Sequence, residues 1–251
     1  MSSFDGSRFL RLLGNDLLLQ WKKIWIATLA FAGFALAAYL TNIDPRSIER
    51  PTIYLVLFPI ALLVGGLLFT STIFADLHHP LQRFHYLTLP CSNLERFLSR
   101  YLLSAPLYYL YVLIVYAVFD WLAAHLAHAL MGASGAPFAP FEPRILDVTL
   151  AYFAWHALMF AGAIYFRSHA ALKTLLSAVV VVLGLVVVAG VALRLFYWDY
   201  FPTLLSLKTT GPLPILGLAP QVRTIAGLLL AAWGLFVAYQ CLREHEVQGG
   251  L

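Results

Sequence analysis

The chain has 251 residues, 61% of them hydrophobic and only 11% charged, with a formal net charge of +4. Soluble domains carry about a quarter charged residues, so this composition excludes a soluble globular enzyme, and so small a net charge offers no basic face for nucleic acid. Long apolar runs such as Leu175–Leu193 argue for helical spans rather than the alternating pattern of a membrane barrel.

At the N-terminus, Phe9, Leu13, Leu17 and Trp21 recur every four residues, while Arg8, Arg11, Asn15 and Lys22 gather on another face. This pattern predicts an amphipathic helix over residues 1–23 lying in the membrane interface; a basic flank of the first span explains the same residues. The run Ile24–Leu40 follows. Ala35-Leu36-Ala37 resembles a signal-cleavage site, but the preceding stretch is long and amphipathic rather than a short basic tag, so the run is expected to stay as the first span. Five further spans are predicted at Ile53–Phe74, Leu102–Leu126, Val148–Tyr165, Thr174–Phe196 and Ile225–Cys241. The expected fold is one all-α membrane domain: a six-span bundle over 24–241 and a tail over 242–251.

An even number of spans puts both termini on one side. With both termini inside, ten basic residues (Arg8, Arg11, Lys22, Lys23, Arg83, Arg96, Arg100, Arg167, Lys173 and Arg243) face the cytoplasm and six face out, which favours cytoplasmic termini. The reading is a multi-pass protein of a bacterial inner membrane. Two outer segments are irregular. Met131–Asp147 reads as a glycine- and proline-rich loop. Tyr197–Arg223 is apolar but cut by Pro202, Pro212, Pro214 and Pro220. It is too broken to span and too apolar for a free loop, so it predicts a re-entrant outer segment, with Phe201 and Leu216 among its apolar residues.

No G-x-x-x-x-G-K-S/T, G-x-S-x-G, H-E-x-x-H or C-x-x-C motif is present, so no catalytic, cofactor or metal-ligating role is assigned. Polar residues within spans are functional suspects by default. His156, near the middle of the fourth span, fits either a proton relay or a bond to a neighbouring helix. Asp120 and Arg194, near outer span ends, fit a structural pair. His125 and His128 share a helix face without an acidic or thiol companion, and His78, His79 and His85 cluster around Pro80 without metal-ligand spacing. Cys91 and Cys241 do not make a disulfide framework and read as structural.

The stretch SNLERFLSRYLL precedes the third span. Ser92 followed three residues later by Glu95 is a capping box. Leu94, Phe97, Leu98, Tyr101 and Leu102 trace one apolar face, with Glu95, Arg96, Ser99 and Arg100 on the other. An ordinary helix cap at the membrane surface and a polar docking face both account for these residues.

Leu89, Pro90 and Ser92, with Asn93, Glu95 and Arg96 as the polar part, resemble the leucine-proline-x-serine motif in the first cytoplasmic loop of the permease subunits of type-2 ABC exporters. Arg100 approximates that family's further basic residue, whereas Asn93 stands where many members carry a basic one. The whole architecture shares the resemblance: an amphipathic N-terminal helix, six spans and a broken apolar segment before the last. The resemblance implies a permease that forms the translocation path as a dimer with a second copy of this chain and docks two copies of a separate ATPase subunit. That subunit would hold ATP and Mg, so this chain would not itself be an enzyme. Leu89, Pro90, Ser92, Asn93, Leu94, Glu95, Arg96 and Arg100 would form the coupling helix. The N-terminal helix would touch the same ATPase, and residues 197–220 would form an outer gate. An apolar interior suits lipidic, amphiphilic or peptide cargo. The alternatives are a proton-coupled secondary transporter using His156 and Asp120, and a histidine-ligated haem protein. The latter needs ligands facing each other at one depth.

Overall fold

Residues 4–41, 54–78, 91–131, 138–196 and 220–249 are described by a computed structural model, and no strand occurs among them. A bilayer offers no water to unpaired backbone groups, so spanning segments bond internally as helices. Helix α1 is Gly6–Thr41. Helix α2 joins Tyr54–Pro59, a π-helical stretch Ile60–Gly65, and Gly66–Thr72. A short α3 (Ala75–His78) follows a turn at Ile73 and Phe74. Helix α4 (Asn93–Leu102) continues through a second π-helical stretch, Leu103–Leu107, into α5 (Tyr108–Met131). The last three are α6 (Pro143–Tyr165), α7 (Ala170–Phe196) and α8 (Pro220–Gly249).

Six segments among the described residues are long and apolar enough to cross a membrane: Gly6–Ala38, Leu55–Leu77, Asn93–Leu126, Pro143–Tyr165, Ala170–Phe196 and Thr224–Glu244. The chain is thus an all-helical, multi-pass membrane protein. Two boundaries differ from expectation. No break separates Gly6–Lys23 from the first span, because the stretch from Asn15 to Lys23 holds no proline or glycine to interrupt the ladder. At 36 residues, α1 is about 54 Å long, well beyond the roughly 30 Å of hydrocarbon, so one end stands outside it. The loop expected over Met131–Asp147 is shorter: Pro143 takes the first helical position, where its missing N–H costs nothing, and α6 starts there.

Helix α6 is the centre of the bundle, with half of its apolar stretch buried, whereas none of the corresponding stretch of α7 is. One core cluster joins Ile73, Phe74, Leu103, Phe160, Ile164 and Leu242; a second, at the other end, joins Ala35, Phe58, Leu62, Tyr116, Ile145 and Tyr152.

Both π stretches accompany a proline, Pro59 just before the first and Pro106 inside the second. Each has one carbonyl bonded by a tyrosine hydroxyl of another helix. Tyr108 Oη donates to Ala61 O at 3.0 Å, and Tyr152 Oη donates to Ser104 O at 2.7 Å. Glycine makes room for these rings: a Cβ on Gly65 would lie 2.5 Å from Tyr108 Oη, and one on Gly66 would lie 2.5 Å from Tyr152 Cε2. On the opposite side of α6, Gly162 receives the Thr174 side chain of α7, and Gly234 of α8 lies against the Ala157 backbone. Between α6 and α7 the chain reverses at His169, which takes a left-handed φ of 52°.

Since a side chain on Gly162 overlaps Thr174, Gly162→Leu is expected to destabilise the bundle by about 1–3 kcal/mol through overpacking. Gly184→Leu, with open space around its α-carbon, should leave unfolding in detergent unchanged. Equal effects at the two positions would contradict the contact.

Candidate functional site

Polar chemistry concentrates where the N-terminal part of α1 meets α4. Ser92 is the N-cap of α4: its Oγ accepts from the Glu95 N–H at 3.3 Å, and Glu95 Oε2 accepts from the Ser92 N–H at 2.8 Å, completing the predicted capping box. The second carboxylate oxygen reaches another helix. Glu95 Oε1 accepts from the Asp5 N–H at 2.7 Å and from Arg8 Nη2 at 2.8 Å. Glu95 is fully buried by these partners, while the Arg8 side chain stays one-third exposed (33%).

Farther along, Ser99 Oγ donates to Asp16 Oδ2 at 2.7 Å, and Arg100 Nε lies 3.4 Å from the same oxygen. Arg100 also donates to the Ile73 carbonyl and, through Nη2, to Asp76 Oδ2 at 3.2 Å, with its guanidinium 5.9 Å from the centre of the Phe74 ring. Arg96 Nε donates to Cys91 Sγ at 3.3 Å. Rising residue numbers meet on both helices, so α1 and α4 run side by side in one direction. Asp16 and Arg100 are both buried, so each is the other's compensation. Removing one partner of such a pair strands a buried charge.

The polar face of α4 is therefore turned into the protein. Glu95, Arg96, Ser99 and Arg100 are buried: Glu95 and Ser99 bond to α1, Arg100 to α1 and α3 and the turn between α2 and α3, and Arg96 to Cys91 just before its own helix. The residue of α4 presented outward is Leu94, with Ser92 and Asn93 partly exposed beside it. Leu89 and Pro90 lie outside the described residues. On α1, Phe9 is buried and Leu13 partly so, whereas Arg11, Leu17 and Trp21 are exposed. Asp16 and Gln20 share the buried side with Phe9. The outer-gate residues Phe201, Pro202, Pro212, Pro214 and Leu216 also lie outside the described residues, as do His79 and His85.

Among the intramembrane polar residues, Asp120 is buried and accepts from the Phe138 N–H at 3.0 Å, tying α5 to the start of the α6 entry. Arg194 is exposed in the last turn of α7. His125 Nδ1 is 2.8 Å from the Trp121 carbonyl. His156 is fully buried, with Nε2 2.9 Å from Ser104 Oγ and its ring set among Tyr101, Tyr152 and Phe160. Ser104 gives its only proton to the Arg100 carbonyl at 2.8 Å. Its oxygen is therefore placed to accept from His156 Nε2–H. This is an interhelical bond bracing the second π stretch.

Asp16, Asp76 and Ser104 were not singled out from the sequence. A lone Asp16 between Gly14 and a run of leucines was the available signal: an acid on an apolar helix face needs a buried partner. No family model, no curated protein and no solved structure matches the chain.

Two outcomes follow for the clamp. Asp16→Ala should cost about 1–3 kcal/mol by leaving Ser99 and Arg100 without their buried acceptor on α1 while Asp76 stays in place, whereas Arg11→Ala, on an exposed position, should stay within about 0.5 kcal/mol; denaturant unfolding in detergent separates them. For the second, the Glu95 carboxylate accepts from the Asp5 and Ser92 amides and from Arg8, so Glu95→Gln should weaken the tie to the start of α1 and raise the amide exchange of residues 5–9.

Proposed function

We propose that this chain is the membrane subunit of an ATP-driven type-2 ABC exporter, forming the translocation path as a dimer and coupled to a separate ATPase subunit. The observation that carries the reading is α4: a capped amphipathic helix between the second and third spans, clamped by ion pairs to the N-terminal helix. A helix held this way is a stiff lever, since its inward charges fix it to α1 while its start remains available for contact. The contact surface is Leu94 with Ser92 and Asn93, preceded in sequence by Leu89 and Pro90, and not the ion-paired Glu95, Arg96 and Arg100. ATP and Mg belong to the partner, whose closure would push on α4 and shift the two permeases between states.

The dimer reading has separate support. Helix α7 is anchored at Thr174, but from Val179 to Val191 nearly every residue is exposed, on all sides of the helix. A span with so little packing gains most from a second copy, because van der Waals contact between helices drives association in lipid. Orientation with both termini in the cytoplasm, in a bacterial inner membrane, and an outer gate over residues 197–220 complete the proposal. A proton-coupled transporter built on His156 has no comparable support, since that ring is sealed from water by aromatic neighbours.

Purification of the full chain from its native membrane should bring down an ATPase, identified by mass spectrometry, with ATP turnover requiring both. Leu94→Asp should weaken that association about tenfold, the loss of one well-packed contact, with thermal unfolding unchanged. Glu95→Arg should instead lower thermal stability. Absence of any ATPase, or undiminished export by Leu94→Asp, overturns the proposal.

A further inference from the structure

Between α1, α2 and α5 runs an apolar groove of about 450 Å³, in the size range of ligand sites. Its walls are side chains such as Ala27 and Phe31 of α1, Leu68 of α2, and Val115 of α5. The polar groups along it are already bonded within the protein. The Thr28 and Tyr111 hydroxyls bond each other, Tyr108 Oη donates to Ala61 O, and Thr72 Oγ1 donates to Phe69 O at 3.0 Å. Lys23 differs: it is exposed, lines one end, and makes no ion pair or hydrogen bond among the described residues.

The two ends of the groove are chemically distinct. Lys23 and Thr72 stand at the end near α4, whereas Phe31 and Ile60 stand toward the core cluster that holds Ala35 and Phe58. From Lys23 to Phe31 the helix rises about 12 Å, from the border of the apolar stretch into it. One cation at the membrane surface, followed by a slot whose polar atoms are satisfied, is complementary to an anion attached to a hydrocarbon chain. We propose that the groove binds one acyl chain of an anionic phospholipid from the surrounding leaflet, with the lipid phosphate on Lys23. The Tyr108 ring that lines the slot is seated by Gly65, so the wall is built by close packing rather than left by chance. This site does not depend on the exporter reading.

The test uses the full chain equilibrated in vesicles of equimolar phosphatidylglycerol and phosphatidylcholine, then released for native mass spectrometry. The wild type should retain phosphatidylglycerol over phosphatidylcholine. Lys23→Glu should lower that preference about fivefold, the effect of one basic residue at an anionic surface. Lys22→Glu makes the same charge change one residue away, outside the groove, and should leave the preference unchanged. Ala27→Trp, at an exposed position, should remove both lipids by filling the slot while thermal unfolding stays as in the wild type. Equal losses for Lys22→Glu and Lys23→Glu would assign the effect to general surface charge and overturn the proposal. So would lipid retention by Ala27→Trp, or an Ala27→Trp variant that dissociates a dimer with its bound lipid unchanged, which would make a second copy the occupant.

Discussion

The Arg100 guanidinium is held where three elements meet: it faces Asp16 on α1, the Ile73 carbonyl after α2, and Asp76 on α3. A buried guanidinium is tolerated only when its surroundings replace the water it has lost. This single requirement fixes how α1, the end of α2 and α4 lie against one another. It also explains why the clamp sits at the end of the apolar stretch. There the charges remain near the interface, and the Arg100 guanidinium lies over the Phe74 ring with acids on two sides. Glu95 and Arg8 add a second tie nearer the chain terminus, so α1 and α4 are joined at two heights rather than hinged at one.

Deeper in the bundle the same constraint takes a neutral form. Proline removes a backbone donor and disturbs the ladder, and each proline-linked π stretch has a carbonyl met by a tyrosine hydroxyl from a neighbour. Those tyrosines approach because Gly65 and Gly66 present no side chain. His156 belongs to this system through Ser104, which bonds both the ring and the Arg100 carbonyl. A continuous set of hydrogen bonds therefore leads from the charged clamp into the middle of α6. Its role there is to keep two irregular helices packed, and the aromatic cage around the ring keeps it dry.

What the sequence made legible followed interaction range. The six spans come from local composition, and the Ser92–Glu95 capping box from residues three apart, so both could be read directly. The helix start at Asn93 follows from them. The direction of the polar face of α4 could not be read, because its partners Arg8 and Asp16 lie 87 and 83 residues away from Glu95 and Ser99. A charged face at a membrane border looks the same in sequence whether water or another helix satisfies it. The π stretches were equally hidden. Pro59 and Pro106 signalled irregularity, but the tyrosines that repair it come from other helices. Periodicity placed Leu17 and Trp21 on the apolar stripe of an interfacial helix; in the fold, Asp16 and Gln20 take the inward side instead, since a buried arginine outweighs the gain from one more apolar contact.

Helix α1 carries both features that stand apart from simple bundle packing. Its first half is bound to α4 through Glu95 and Asp16, and its second half forms one wall of the apolar groove through Ala27 and Phe31. No break separates the two halves, and a helix without proline or bulge transmits displacement along its axis rather than absorbing it. The charged clamp and the unbroken α1 therefore connect the start of α4 to the groove. The opposite wall, α2 and α5, is braced independently by tyrosine hydroxyls and glycine contacts against α6. One wall of the groove is thus tied to α4 and the other to the bundle centre. Energetic coupling between the two regions then needs no long chain of side chains, only the continuity of a single helix.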